Sequence, residues 1–208
     1  MISMNGGYED VLHHIASDSP TPGGGSVAAL SLAHAHALAS MVARLTLGKE
    51  IWQSGHESAN HVLSESSVGL QTALTLAHRD AESFQAVMQA FRLPKSGDDE
   101  VSTRKAAIMD AYIIAASVPL ETTQNGLGLL LLLDEMAMSC NANAITDLAA
   151  SAELANTAII IAGLNVRINL QSLPDVNADA FSSELADVEE QASSLIGRIR
   201  ATVEDRMR

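Results

Sequence analysis

Asp80 stands in the run RDAESFQAVMQAF, where the spacing 80, 84, 87, 91 sets it on one helical face with Phe84, Val87 and Phe91. A carboxyl group on an apolar face needs a partner or a purpose. Partial burial raises its pKa toward the range in which a side chain takes and returns protons near neutral pH. The residues alone leave open a plain ion pair with a nearby arginine. Asp147 opens an otherwise apolar helix, where the helix dipole already favours an acid. Asn165 and Asn169 lie four apart on one face, with Arg167 between them in sequence. Two amides so placed read the edge of a heterocycle, or bond to each other across a dimer axis. Gly23-Gly24-Gly25, between Pro22 and Ser26, lets backbone approach a partner closely. The N–H groups that follow suit an anion or a carbonyl. By physics this loop is a structural turn or a ligand loop.

Other chemistries find less support. The loop lacks the Gly-Lys-Ser/Thr ending and the preceding strand of a nucleotide phosphate cradle. No Gly-x-Ser-x-Gly is present. The lone cysteine, Cys140, sits at a helix start, which lowers a thiol pKa, but a small residue packed at a turn explains it as well. No histidines have the spacing of a zinc hydrolase: His34 and His36 point to different faces, His13 and His14 are adjacent, and His56 and His61 are five apart. No metal site is expected, and His34 and His36 are read as core or interface residues.

These side chains must be positioned by helices. No segment alternates with period two over six residues, and the stretches between punctuators carry helical periodicity. Helices are predicted over 7–16, 26–47, 56–91 (with a bend near Gly69), 100–117, 119–139, 144–170 and 178–206. The loops are 17–25, 93–99 and 171–180. Gly48 is expected to end the second helix, with Lys49 beside its last carbonyls. Asp98 or Asp99 is expected to cap the helix after 99, and Asn141 or Asn143 the helix from 144. Pro119 either kinks a helix or begins one. The last helix buries Leu185, Val188, Ala192, Leu195, Ile199 and Val203. The expectation is an all-α domain spanning 1–208: an antiparallel bundle of about six long helices. Its small-residue helices exceed what one bundle needs, which suggests a homodimer joined through helices.

Composition bounds the partners. Of 208 residues 47% are apolar and only 3% aromatic, so the core is aliphatic. With 12 basic against 25 acidic residues the net charge is −13, which disfavours nucleic acid and anionic membranes and permits a small anion held by local donors. The first 16 residues contain no Lys or Arg and do not read as a secretory signal. The runs GLGLLLLL and TAIIIAGLNV fall short of a bilayer span, and a cytoplasmic protein is expected.

Six segments in order, PTPGGGSVAA, MVARLTLGK, RDAESFQAVMQAFRLPK, VPL, NANAITD and LNVRINL, resemble the cyclodeaminase/cyclohydrolase family over residues 8–205. The family includes the C-terminal domain of formiminotransferase-cyclodeaminase and a free-standing methenyltetrahydrofolate cyclohydrolase. The resemblance implies an all-helical homodimer with a tetrahydrofolate site in a groove where subunits meet. It gives the catalytic role to Asp80, in Asp80-Ala81-Glu82-Ser83-Phe84. It gives substrate-binding roles to Pro22, Gly23, Gly24, Gly25, Ser26, Lys49, Asn141, Asp147, Asn165, Arg167 and Asn169. Cys140 replaces a common glycine, and His34 and His36 stand where small or apolar residues are usual.

The implied reaction is hydrolysis of 5,10-methenyltetrahydrofolate to 10-formyltetrahydrofolate, with Asp80 accepting a proton from water and returning it to N5. No cofactor is expected, since the folate is the substrate. Lys49 and Arg167 would hold its glutamate tail. One alternative is formiminotetrahydrofolate cyclodeaminase, in which N10 attacks and ammonia leaves. The other is a catalytically silent, folate-binding helical dimer.

Overall fold

The computed structural model describes residues 7–208. The first six residues, part of the segment read as lacking a secretory signal, lie outside that range. Six α-helices follow in order: α1 (Tyr8–Ile15), α2 (Gly24–Leu47), α3 (His56–Phe91), α4 (Asp98–Ala137), α5 (Ile145–Leu170) and α6 (Asp175–Met207). Short 3₁₀ turns at Glu50–Gly55 and Ala142–Ala144 join α2 to α3 and α4 to α5. No strand occurs among the described residues. Helices α2, α3, α4 and α5 form a closed ring of packed neighbours, and α6 lies against α4 and α5.

The ring closes tightly because α2 is built from small residues. Ala28, Ala29, Ala33, Ala35, Ala39 and Ala43 are all buried, so neighbouring helices approach on several sides. The leucines of α4 (Leu129, Leu130 and Leu133) fill the centre beside Leu148 and Ile159 of α5. The expected stripe of α6 is buried from Leu185 to Val203. Both α2 and the segment 142–170 are long and apolar enough to cross a membrane, contrary to the expectation from the shorter runs. In this fold 61% and 44% of those windows lie buried inside the bundle.

Several boundaries differ from expectation. The second and third glycines belong to α2, whose N-cap is Gly23 in an extended conformation. Of the two readings of Pro119, a new helix start is not met: the stretches 100–117 and 119–139 form one 40-residue helix that runs through the proline. Gly97, not Asp98 or Asp99, is the N-cap of α4; both acids lie in the first turn, where the dipole favours them. Asn141 caps the short turn by accepting from the Asn143 backbone N–H, and α5 starts after Ala144. Helix α3 continues through Gly69, where a Cβ would lie 2.7 Å from Nδ1 of His36, so that glycine makes room for a ring. In α1 only Val11 is buried, and Leu12 is half exposed.

Candidate active site

Asp80 sits in the C-terminal third of α3, facing the N-terminus of α2. The Ser26 hydroxyl donates to its Oδ2 at 2.9 Å. The Ser26 backbone N–H, one of the free donors of the first helical turn, lies close enough to favour the charged carboxylate as well. Burial pushes the Asp80 pKa up, and these two donors pull it down. Gly25 makes the approach possible: a Cβ there would lie 2.6 Å from Cγ of Asp80 and overlap the carboxylate. Gly25 therefore has a definite job, which is to let a helix start lie against a carboxyl group. The Thr21–Pro22 bond ahead of it is cis.

Around this carboxylate lies a cavity of about 540 Å³. Gly23, Gly24 and Gly25 form one wall, and Phe84, Met88 and Phe91 of α3 another. Tyr112 and Ala115 of α4, and Asn165, Ile168 and Asn169 of α5, close it. Phe91 meets Tyr112 edge to face at 6.3 Å, and the Arg104 guanidinium lies 5.4 Å from the Phe91 ring. Flat apolar walls with one half-buried acid and two amides suit a planar heterocycle. The Asp80–Phe84–Val87–Phe91 stripe was legible from spacing. Tyr112 had no local signal; the packing of α4 on α3 brings it in.

The predicted site residues fall into separate groups. Asp80, Gly23, Gly24, Gly25, Asn165 and Asn169 line the cavity, and Ser26 stands directly behind Asp80. Arg167 points away and pairs with Glu189 of α6. Lys49, Asn141 and Asp147 lie at the other end of α2 and α5, about 33 Å away along the helix at 1.5 Å per residue. There Asn141 is buried: its amide donates to Leu45 O at 2.9 Å, and its N–H donates to Thr46 Oγ1 at 3.0 Å. It ties the α4–α5 turn to the end of α2.

Other titratable groups are placed for packing. Burial pushes the Cys140 thiol up against the pull of Arg206, which donates to its sulfur at 3.2 Å. His34 is exposed beside Tyr8. Burial lowers the His36 pKa to about 4, and neither ring nitrogen has a partner among the described residues. No group of three His, Cys, Asp or Glu suited to a metal ion occurs among them.

The same fold is known elsewhere. The formiminotetrahydrofolate cyclodeaminase of Thermotoga maritima superimposes with a TM-score of 0.86 at 26% identity, covering 100% of this chain and 98% of that one. A methenyltetrahydrofolate cyclohydrolase of Methylorubrum extorquens is 37% identical over 201 residues, 96% of each chain. The formimidoyltransferase-cyclodeaminase of Sus scrofa is 32% identical over 198 residues, which are 91% of this chain and 36% of that protein. The profile described as formiminotransferase-cyclodeaminase matches residues 7–189, the span that builds the α2–α3 carboxylate, the glycine wall and the α5 amides. The chain belongs to the formiminotransferase-cyclodeaminase family.

Proposed function

We propose that this protein is a folate one-carbon enzyme that hydrolyses 5,10-methenyltetrahydrofolate to 10-formyltetrahydrofolate at Asp80. The observation that carries this reading is the half-buried carboxylate in a flat-walled cavity, held by Ser26 and given room by Gly25. The name of the Methylorubrum extorquens relative, matched over almost its whole length, favours the hydrolytic reading. The bridging amidinium carbon is already electrophilic. Asp80 takes one proton from water as the C–O bond forms, N5 receives that proton as the C–N5 bond breaks, and the remaining hydroxyl proton leaves to solvent as the formyl C=O forms. Its negative charge also stabilises the cationic bridge.

A second reading is favoured by the Thermotoga maritima neighbour, named a formiminotetrahydrofolate cyclodeaminase. In it N10 closes on the formimino carbon, ammonia leaves, and Asp80 shuttles the proton. The third outcome is a silent folate binder. One preparation separates them. Loss of methenyltetrahydrofolate absorbance above the spontaneous rate is expected. Ammonia release from formiminotetrahydrofolate in its place supports the second reading, and silence in both assays with folate bound supports the third.

The active form is proposed to be a homodimer. Ile160, Leu164 and Ile168 form an exposed stripe at intervals of four along α5, 53%, 59% and 57% accessible. Ile168 also lines the cavity, so a second copy seated on this stripe would border its open side.

A further inference from the structure

Pro119 lies inside α4 and has no N–H to give the carbonyl four residues back, which belongs to Ala115. That residue is 5% exposed and lines the cavity. A buried carbonyl left without a donor is costly. The missing donor comes from another helix: the Asn169 amide donates from Nδ2 to Ala115 O at 2.6 Å. Only the NH₂ end of the amide can face a carbonyl oxygen, so the orientation is fixed. One turn earlier, Asn165 commits its own Nδ2 to Ile161 O at 2.9 Å. Neither Oδ1 is sealed from solvent, and neither accepts a bond from the described residues.

We infer that Pro119 is a positioning residue for the binding site. By withdrawing one backbone donor it holds the Asn169 side chain with its Oδ1 free for the ligand. Two acceptors then stand one helical turn apart on α5, about 6 Å along the axis. With Asp80 they make one side of the cavity acceptor-rich. Such a side selects a heterocycle whose edge carries several N–H donors, the chemistry of a reduced pterin ring. This ligand assignment rests on the folate reading above; the Pro119–Asn169 coupling does not.

The test is a double-mutant cycle with P119A, N169A and the combined variant. P119A restores an N–H that competes for the Ala115 carbonyl. In the free, ¹⁵N-labelled protein it should shift the Asn169 side-chain NH₂ resonance and speed its exchange. N169A should weaken tetrahydrofolate binding about tenfold, the loss of one hydrogen bond. P119A should weaken it several-fold, although residue 119 lines no part of the cavity, and should raise KM more than it lowers kcat. In the N169A background P119A should cost nothing further. Additive binding losses, or an Asn169 resonance untouched by P119A, would overturn the coupling. Should the parent protein fail to bind tetrahydrofolate, the folate reading and the ligand assignment fall together, while the resonance of the free protein still decides the coupling.

Discussion

At the scale of the residue, the role proposed for Asp80 comes with a cost. Burial raises its pKa above the unfolded value. Between those two values the folded chain holds a proton that the unfolded chain has released. Stability therefore falls as pH rises through that window, and it stays lower at neutral pH. D80N keeps the shape and removes the charge. It should abolish turnover yet melt at a higher temperature than the parent at pH 7, the difference vanishing in acid below the ordinary carboxyl range. Unchanged activity would remove Asp80 from the mechanism. Ser26 opposes burial, so S26A should move the acidic limb of the kcat/KM profile to higher pH. G25A tests the geometry. A methyl group there overlaps the carboxylate and displaces it, and kcat/KM should fall about a hundredfold or more, the penalty of an ångström-scale misplacement.

At the scale of the element, α2 and α3 meet at a second close contact, where the His36 ring lies against Gly69. His36 is 4% exposed, and burial lowers its pKa from 6.5 to about 4. Below pH 6.5 the unfolded chain gains a proton that the folded chain refuses. Stability should drop as pH falls from 6.5 to 4, by about 3 kcal/mol, and level off below. Denaturant melts of H36L should lack that slope. Most helices were legible in the sequence: α6 because its buried residues recur with period 3.6, and α2 because small and apolar residues run almost all round it. The exceptions share a cause. Pro119 begins no new helix, and the Ala115 carbonyl it leaves without a backbone donor is bonded by Asn169, fifty residues away, a partner no local pattern announces. The capping role expected for Asn141 survives in a different place, because its side chain also ties down the end of α2. Asp80 was legible because an acid interrupts an apolar stripe; Tyr112 was not, because only the packing of α4 on α3 puts it there.

At the scale of the whole molecule, the proposed homodimer makes a distinct prediction. L164E places a charge in the middle of the exposed α5 stripe. Light scattering on the eluting protein should show the parent at twice the chain mass and L164E at the chain mass, with lower activity. A monomeric parent with full turnover would sink the dimer. The net charge of −13 bears on the same scale, since an anionic ligand must be met by particular cations and not by the field of the protein. Lys49 lies at the far end of α2 from Asp80, so within one chain the two cannot touch one ligand. The contact between Gly25 and Asp80 has a consequence for descent. A chain of this fold with any side chain at position 25 has no room for a carboxylate in this pose at position 80. The two positions can therefore drift only in order, with the acid lost first and the glycine released afterwards. If Asp80 has the proposed role, the two positions read together sort working lineages of this fold from silent ones before any assay is run.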